Sequence, residues 1–463
     1  MNKNIKRIFL IFTVVIFFIM TGCSSAVNNS QRSNRKQTNS SDKTSKNNNS
    51  AEDETVLLQD AASIPLTLEA IEDGTIILTG NEIKQIYFQK NDGLLQTPGN
   101  NILVKAGDKI HFYGYSFTGG NGSLRISCAT DCYIYGNIMS LLYYTDFKDK
   151  KEIPYTSVFY NLFKNNTHIK NHESLDIVLP ATELAATCYG YMFYGCSGLT
   201  RIPELPATTL TAYCYEYMFQ NCTGLTTVPD INVTTMGEAS CYYMFNGCNG
   251  LTNAPAINVT TMGERSCLGM FMNCKGLTSA PGVNASVMSS YSCKCMFSGC
   301  TKLVSVTSVG NKETTMSDSF ESMFEGCTSL TNAPVLPSLN LNSGCYYQMF
   351  KDCTSLTKAP ELPATTLKNG CYQRMFEGCT NLTDAPELSA QTLTAYCYKS
   401  MFEGCTKLNY VKCLARDRSA TCCIQDWLKD VAMTGKLVKK SGTYWATGTD
   451  IPSRWTTEDY VAP

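Results

Sequence analysis

The chain has 463 residues, enough for two or three ordinary domains, and is close to neutral, with 38 basic and 39 acidic side chains. That balance, with no basic stripe interleaved with aromatics, argues against a nucleic-acid partner. Charged residues make up only 17% of the chain while Tyr, Cys, Thr and Met are plentiful, which suits many small buried faces better than one large polar active site.

Residues 1–23 read as a lipoprotein signal peptide. Lys3, Lys6 and Arg7 form a positive start, and Ile8 to Met20 is an apolar run broken only by Thr13. Such a run is too short to cross a bilayer and fits a signal sequence instead. It ends in Met20-Thr21-Gly22-Cys23, which resembles the bacterial lipobox, with Met20 where Leu is usual. The resemblance implies that Cys23 is acylated and anchors the mature chain to a membrane. Localisation is then the cell envelope, at the outer membrane or cell surface, although Ser24-Ser25 lacks the acidic run that marks surface export in some lipoproteins. Residues 24–55 are almost entirely Ser, Asn, Lys, Thr and Gln. They cannot bury enough apolar surface to offset their ordering entropy, so they are expected to form a disordered tether.

Residues 56–150 alternate short apolar runs (Thr75-Ile76-Ile77-Leu78, Ile86-Tyr87-Phe88, Ile102-Leu103-Val104, Ile110-His111-Phe112-Tyr113) with turn signals such as Asn91-Asp92-Gly93 and Gly107-Asp108. This predicts a small all-β, sandwich-like domain that covers the apolar end of the segment C-terminal to it.

That C-terminal segment is a repeat. Met-Phe recurs at Met192, Met218, Met244, Met270, Met296, Met323, Met349, Met375 and Met401, in steps of 26 residues with one of 27. Four residues past each Met stands a cysteine: Cys196, Cys222, Cys248, Cys274, Cys300, Cys327, Cys353, Cys379 and Cys405. A Leu stands three residues later in every copy, from Leu199 to Leu408. A period of this length means stacked units that bury their faces on one another. Leu210, Cys214 and Met218 fall four apart, which predicts one face of a short helix, with Gly195, Asn221 and Gly247 suited to its C-cap. The Leu-Thr-x-Ala-Pro stretch predicts a brief extended segment. A weaker copy precedes these at Phe159-Tyr160-Asn161-Leu162-Phe163, with Asn166 in the place of Cys. About ten units over residues 155–412 thus predict an α/β repeat solenoid, leucine-rich-repeat-like with ~26-residue units, on the order of 45–50 Å long. A C-terminal cap spans 413–463; its Trp427, Trp445 and Trp455 read as the close of a small core, or alternatively as a sugar platform.

The unit Met-Phe-x-Gly-Cys-x-x-Leu-Thr-x-Ala-Pro-x-Leu-Pro-Ala-Thr-Thr-Leu resembles the BspA-like leucine-rich repeats of bacterial surface proteins, whose pattern Ala-Phe-x-x-Cys-x-x-Leu-x-x-Ile-x-Ile-Pro has a shorter period. The resemblance runs from residue 155 to the C-terminus. It implies a non-catalytic, lipid-anchored surface protein whose solenoid binds extracellular or host proteins, in adhesion or cell-surface interaction. The alternative from another class is a glycan-binding lipoprotein using the β-domain or the Trp-containing cap.

The cysteines read as an interior ladder. Eight of the nine copies carry a first Cys seven or eight residues before the constant one, but Phe320 occupies that place in the sixth, and a phenylalanine can replace a buried apolar group, not half a disulfide. Cys128 with Cys132, or Cys413 with Cys422, are better disulfide candidates. No zinc spacing, phosphate loop or hydrolase motif is found, so no cofactor and no enzymatic activity are expected. His168 and His172 could share a helical face, but read as a solvated pair. If the solenoid binds, it does so through positions that vary while the frame stays fixed. One such row is Arg201, Thr227, Asn253, Ser279, Ser305, Asn332, Lys358 and Asp384. A second is Glu204, Asp230, Ala256, Gly282, Ser308, Val335, Glu361 and Glu387. Both are expected to run as parallel stripes along the extended segments.

Overall fold

A computed structural model describes residues 61–114, 124–312 and 315–461. The expected signal peptide over residues 1–23, its Cys23 and the tether expected over 24–55 lie outside the described residues. The body begins with eight strands: β1 (Thr67–Ala70), β2 (Gly74–Thr79), β3 (Ile86–Lys90), β4 (Leu95–Gln96), β5 (Asn101–Val104), β6 (Lys109–Gly114), β7 (Arg125–Cys128) and β8 (Cys132–Asn137). A one-turn helix comes next at Ser140–Tyr143. Alternation sets the faces: Ile110 and Phe112 of β6 are buried, as are Ile76 and Leu78 of β2 and Ile102 and Val104 of β5. The strands form a three-stranded sheet, β5-β2-β7, and a larger one ordered β8-β1-β6-β3-β4.

The larger sheet does not stop at residue 150. Strands β9 (Ile169–Asn171) and β10 (Ile177–Val178), which belong to the first coil of the repeat array, add to β8 in parallel. Beside them Ile126 N–H donates to Leu162 O at 2.7 Å, and the Arg125 guanidinium donates to Lys164 O. The carbonyls of the first coil therefore have donors waiting on β7, and the solenoid grows out of the sandwich through continuous hydrogen bonding.

From there the chain winds as a repeat solenoid. Along two sides of each coil run extended pairs, stacked in parallel. Thr209–Leu210, Thr235–Met236, Thr261–Met262 and Val287–Met288 pair rung by rung, and Ser279–Ala280 pairs with Ser305–Val306. The remaining side holds the Met-Phe segment, and here the helix expectation is overturned. The segment is a ribbon of consecutive turns. Positive φ recurs at every fourth residue, as at Tyr213 (58°), Tyr217 (53°) and Asn221 (60°), a conformation no α-helix contains. Backbone donors alternate between two destinations. Met192 N–H bonds Tyr189 O within the coil at 3.1 Å, while Phe193 N–H bonds Met218 O of the next coil at 2.9 Å. The spacing of four is thus the true period of the ribbon, whereas a 3.6-residue helix would rotate each successive apolar residue about 40° off the face. Gly195 and Gly247 have the left-handed φ expected of a C-cap, but each ends a turn of the ribbon.

Each coil sends Met, Phe and Cys inward. The Phe rings form an unbroken stack from Phe163 to Phe402, with neighbouring centroids 5.4–5.8 Å apart and planes within 10°. All nine constant cysteines are fully buried, and each donates its S–H to the Phe carbonyl of the preceding coil, as Cys248 does to Phe219 O at 3.0 Å. The same carbonyl accepts Cys222 N–H at 3.1 Å, so one buried oxygen ties two coils together. The ladder position calls for a small, apolar side chain with a weak donor, and cysteine is that residue.

The first cysteine column resolves into two. Tyr215 N–H bonds Ser240 O and Cys241 N–H bonds Ser266 O, so Cys241 occupies the place of Tyr215, and Ser240 that of Cys214. Where the pair is Cys-Tyr, a Leu stands four residues before the Cys (Leu184, Leu210, Leu341, Leu367, Leu393); where it is Ser-Cys, a Met stands four residues before the Ser (Met236, Met262, Met288). The longer Met fills the space a Tyr ring would take, and Met236 Sδ lies 3.4 Å from Cys267 Sγ.

Candidate binding surfaces

The ribbon and strand positions that do not point inward face solvent. The first variable row is held in register by backbone bridges, Asn253 to Ser279 to Ser305 to Asn332, and again Lys358 to Asp384. Within it Ser279 Oγ donates to Asn253 Oδ1 at 2.8 Å. Arg201 is not free: its Nη2 lies 2.6 Å from Asp176 Oδ1 and donates to His172 O at 2.7 Å. Members of the second row are also partly engaged, since Asp230 accepts Ala256 N–H at 2.9 Å and Glu387 pairs with Lys412 at 2.8 Å. Thr227, Glu204 and Glu361 remain exposed. Arg201 and Glu204 line a cleft of about 620 Å³ where the first coils meet the sandwich, floored by Ile177, Leu179, Ile202 and Pro203.

A further surface lies outside both rows. The residue before Met sits at the left-handed apex of the ribbon, and in the first three full coils it is tyrosine. Tyr191 and Tyr217 stack at 4.5 Å between centroids, Tyr217 and Tyr243 at 5.5 Å, and Tyr160 meets Tyr191 edge-on at 5.3 Å. Tyr194 and Tyr242 flank this column, and Lys164 Nζ lies 4.3 Å above the Tyr191 ring. All six tyrosines are partly exposed. Partial burial pushes the Tyr191 and Tyr243 phenols up to about 12, so they stay protonated donors at neutral pH, and burial also raises Glu216 and lowers Lys164 beside them. The signal in the sequence is a column one residue before Met; beyond Tyr243 that column reads Gly269, Cys295, Ser322, Gln348, Arg374 and Ser400, so the patch belongs to the N-terminal half of the array.

Chemistry-bearing residues do not converge. Among the described residues no group of three or more His, Cys, Asp or Glu could hold a metal ion. His168 and His172 flank strand β9 and share no helical face. His168 Nδ1 lies 3.0 Å from Asp131 Oδ1, while His172 accepts Ser174 N–H at 3.2 Å and packs edge-on against Tyr133 and Tyr135. His111 bonds Thr67 Oγ1 at 2.8 Å. All described cysteines are free, including the disulfide candidates Cys128, Cys132, Cys413 and Cys422. Cys132 donates its S–H to Thr130 O at 3.5 Å, and the neighbouring Cys128 thiol together with desolvation holds the Cys132 thiol up. In the cap, Trp427, Trp445 and Trp455 are only 1–3% exposed, so none offers the ring face a sugar platform needs.

A family model for the BspA type leucine rich repeat region matches in six copies, over residues 156–287, 242–383 and 321–419. Joined, these ranges cover more than half of the chain. The chain is a BspA-type leucine-rich repeat protein. In this BspA-type array the Phe and Cys of the repeat signature are the two residues that build the stack and the inter-coil carbonyl bridge. A crystal structure of a leucine-rich repeat protein from Bacteroides ovatus ATCC 8483 is similar at 18% identity, over 75% of this chain and 98% of that one, with a TM-score of 0.29. Among curated proteins no match is found. No helix among the described residues is long and apolar enough to cross a membrane.

Proposed function

We propose that this protein is a non-catalytic lipoprotein of the bacterial cell envelope, held through Cys23, whose solenoid binds extracellular proteins in adhesion or cell-surface interaction. The observation that carries the reading is the tyrosine column at Tyr191, Tyr217 and Tyr243 with its flanking Tyr160, Tyr194 and Tyr242. Stacked aromatic side chains with polar tips on a rigid frame make the kind of surface that dominates protein–protein contact energy, because they bury large areas at little entropic cost. The in-register row from Asn253 to Asn332 gives the same frame a second, polar surface on its extended segments.

The test is solid-phase binding of the full-length protein to a panel of extracellular matrix proteins, repeated with Tyr191→Ser/Tyr217→Ser/Tyr243→Ser and with an alanine series along the first row. Loss of capture by the tyrosine variant, with its far-UV spectrum unchanged, supports the reading. Capture that survives both sets of substitutions removes these faces from consideration, and binding to a glycan array instead would favour the sugar-binding alternative.

A further inference from the structure

The solenoid is polar along its axis. In every coil, alternate N–H groups of the ribbon point toward the C-terminal neighbour and find its carbonyls. The last such set is Tyr396 to Thr421 O (3.0 Å), Tyr398 to Cys423 O (2.9 Å), Ser400 to Gln425 O (2.8 Å), Phe402 to Trp427 O (2.9 Å) and Gly404 to Lys429 O (2.9 Å). The ribbon that receives them keeps the same geometry, with positive φ at Cys422 (50°), Asp426 (57°) and Asp430 (56°), and keeps its internal bonds, such as Trp427 N–H to Ile424 O at 3.2 Å. Its own outward donors, the N–H groups of Cys422, Ile424, Asp426, Leu428 and Asp430, meet no acceptor among the described residues.

The reason is a shortened last step. Strand Tyr410–Cys413 pairs with its successor 26 residues on, Tyr410 opposite Lys436, but the final strand Trp455–Tyr460 comes only 20 residues later, Gly435 opposite Trp455. The strand stack gains a rung while the ribbon beside it is missing. Trp445, 5.4 Å from the Trp427 ring, and Asp450 O, which accepts Trp427 Nε1–H at 2.6 Å, fill part of the vacated place. Beside them Asp426, Leu428 and Asp430 line a cleft of about 370 Å³ facing Gly448–Ser453, within the range of small ligand pockets. Unpaired acids outnumber unpaired cations there, Arg454, whose Nη1 lies 2.9 Å from Met433 Sδ at the rim, being a cation with no ion pair among the described residues. Lys429 is held by Glu403 at 2.6 Å and Asp450 lies near Arg418, whereas Asp426 and Asp430 are exposed and carry no ion pair among the described residues. An anionic ligand would face those carboxylates. A backbone offering carbonyls to the donors and cations to the acids satisfies both.

We propose that this open end of the solenoid binds an extended, basic segment of a partner protein, whose carbonyls take the place of the missing coil on the Cys422–Asp430 donors and whose Lys or Arg side chains pair with Asp426 and Asp430. Unpaired backbone edges are ready templates for such addition. The site is distinct from the tyrosine column and the variable rows, so it stands or falls separately from the lateral-face reading.

The experiment uses the full-length protein and a fluorescent (Lys-Thr)5 peptide, with (Glu-Thr)5 as control. Hydrogen exchange read by mass spectrometry on segments covering 420–431 is expected to be fast in the free protein, faster than on the segment covering 396–404, and slowed by (Lys-Thr)5 alone. The double variant Asp426→Asn/Asp430→Asn keeps residues that tolerate positive φ, so the ribbon is retained, and its affinity for (Lys-Thr)5 should fall about tenfold or more. Slow exchange of 420–431 in the free protein, equal affinity for the two peptides, absence of (Lys-Thr)5 binding up to about 1 mM, or binding indifferent to the double variant would each overturn the proposal.

Discussion

Replacing Gly326 by Ala and Gln348 by Gly separates a turn ribbon from a helix by sign rather than by size. Gly326 has φ +71°, and a Cβ built there would come no closer than 3.9 Å to any neighbour, so the backbone conformation is the only obstacle. Holding an L-residue in the left-handed region costs about 1–2 kcal/mol. Loss of glycine's unfolded-state freedom returns about 0.4–1 kcal/mol. Gly326→Ala should therefore destabilise by roughly 0.5–1 kcal/mol on those two figures. Were the segment helical, the same change would stabilise by about 1 kcal/mol. Gln348, with φ 55° and its N–H bonded to Gln373 O at 3.0 Å, gives the reciprocal case. Gln348→Gly relieves the left-handed strain and should stabilise by a similar amount, where a helix would lose about 1 kcal/mol. Urea unfolding followed by far-UV dichroism reads both, with m compared so that a change in the cooperative unit is not mistaken for a change in stability. A raised midpoint for Gly326→Ala together with a lowered one for Gln348→Gly would refute the ribbon.

Burial pushes the ladder thiols Cys222, Cys274, Cys327 and Cys405 up to about 12 and Cys295 to about 11, so iodoacetamide on the native protein should label exposed Cys422 first, and the ladder only after unfolding; rapid labelling of the ladder by peptide mapping would contradict its burial. Asp108 is held down to about 2 by its bonds from Lys90 and the Lys105 N–H. A carboxyl depressed in the folded state contributes stability above its ordinary 3.8 that is lost as pH falls through about 2. Asp108→Asn should thus be less stable at neutral pH with a flatter acid limb in pH-dependent melting, and an unchanged limb would contradict the assignment. Cys267→Tyr should cost about 1–3 kcal/mol by overpacking against Met236, whose Sδ lies 3.4 Å from Cys267 Sγ, and Met236→Leu in the same chain should recover part of it. A double-mutant cycle with no coupling would show that the Leu/Tyr and Met/Cys pairings are coincidental.

The inward half of this fold is readable from the chain because each coil repeats the same demand. Nine Met-Phe pairs and nine cysteines at fixed spacing can only be a stacked interior, and Phe320 in the sixth copy already argues against paired sulfurs. The ribbon is harder to see. Leu210, Cys214 and Met218 at intervals of four fit a helix over two steps, and the left-handed residues that distinguish a ribbon are here Tyr, Arg, Cys, Gln and Ser at least as often as Gly, so the usual glycine signal is diluted. The swap of Cys-Tyr for Ser-Cys hides a change of one position behind a spacing of seven or eight. Tyr191, Tyr217 and Tyr243 form a column that the spacing alone discloses, yet rows chosen for their variability pass over it. Arg201 shows the converse: a variable, charged position whose side chain is tied to Asp176 and His172 by an insertion whose course no periodicity reports. The open donors of Cys422–Asp430 depend on where the next strand lands, which is a matter of tertiary register.

The proposed binding of an extracellular protein requires the lateral faces to lie outside the cell. Protease shaving of intact cells, with immunoblotting for the solenoid, tests this most directly. Loss of the band, with a periplasmic control protected, is the predicted result. Full protection of the band would contradict a surface role and leave a binding scaffold inside the envelope.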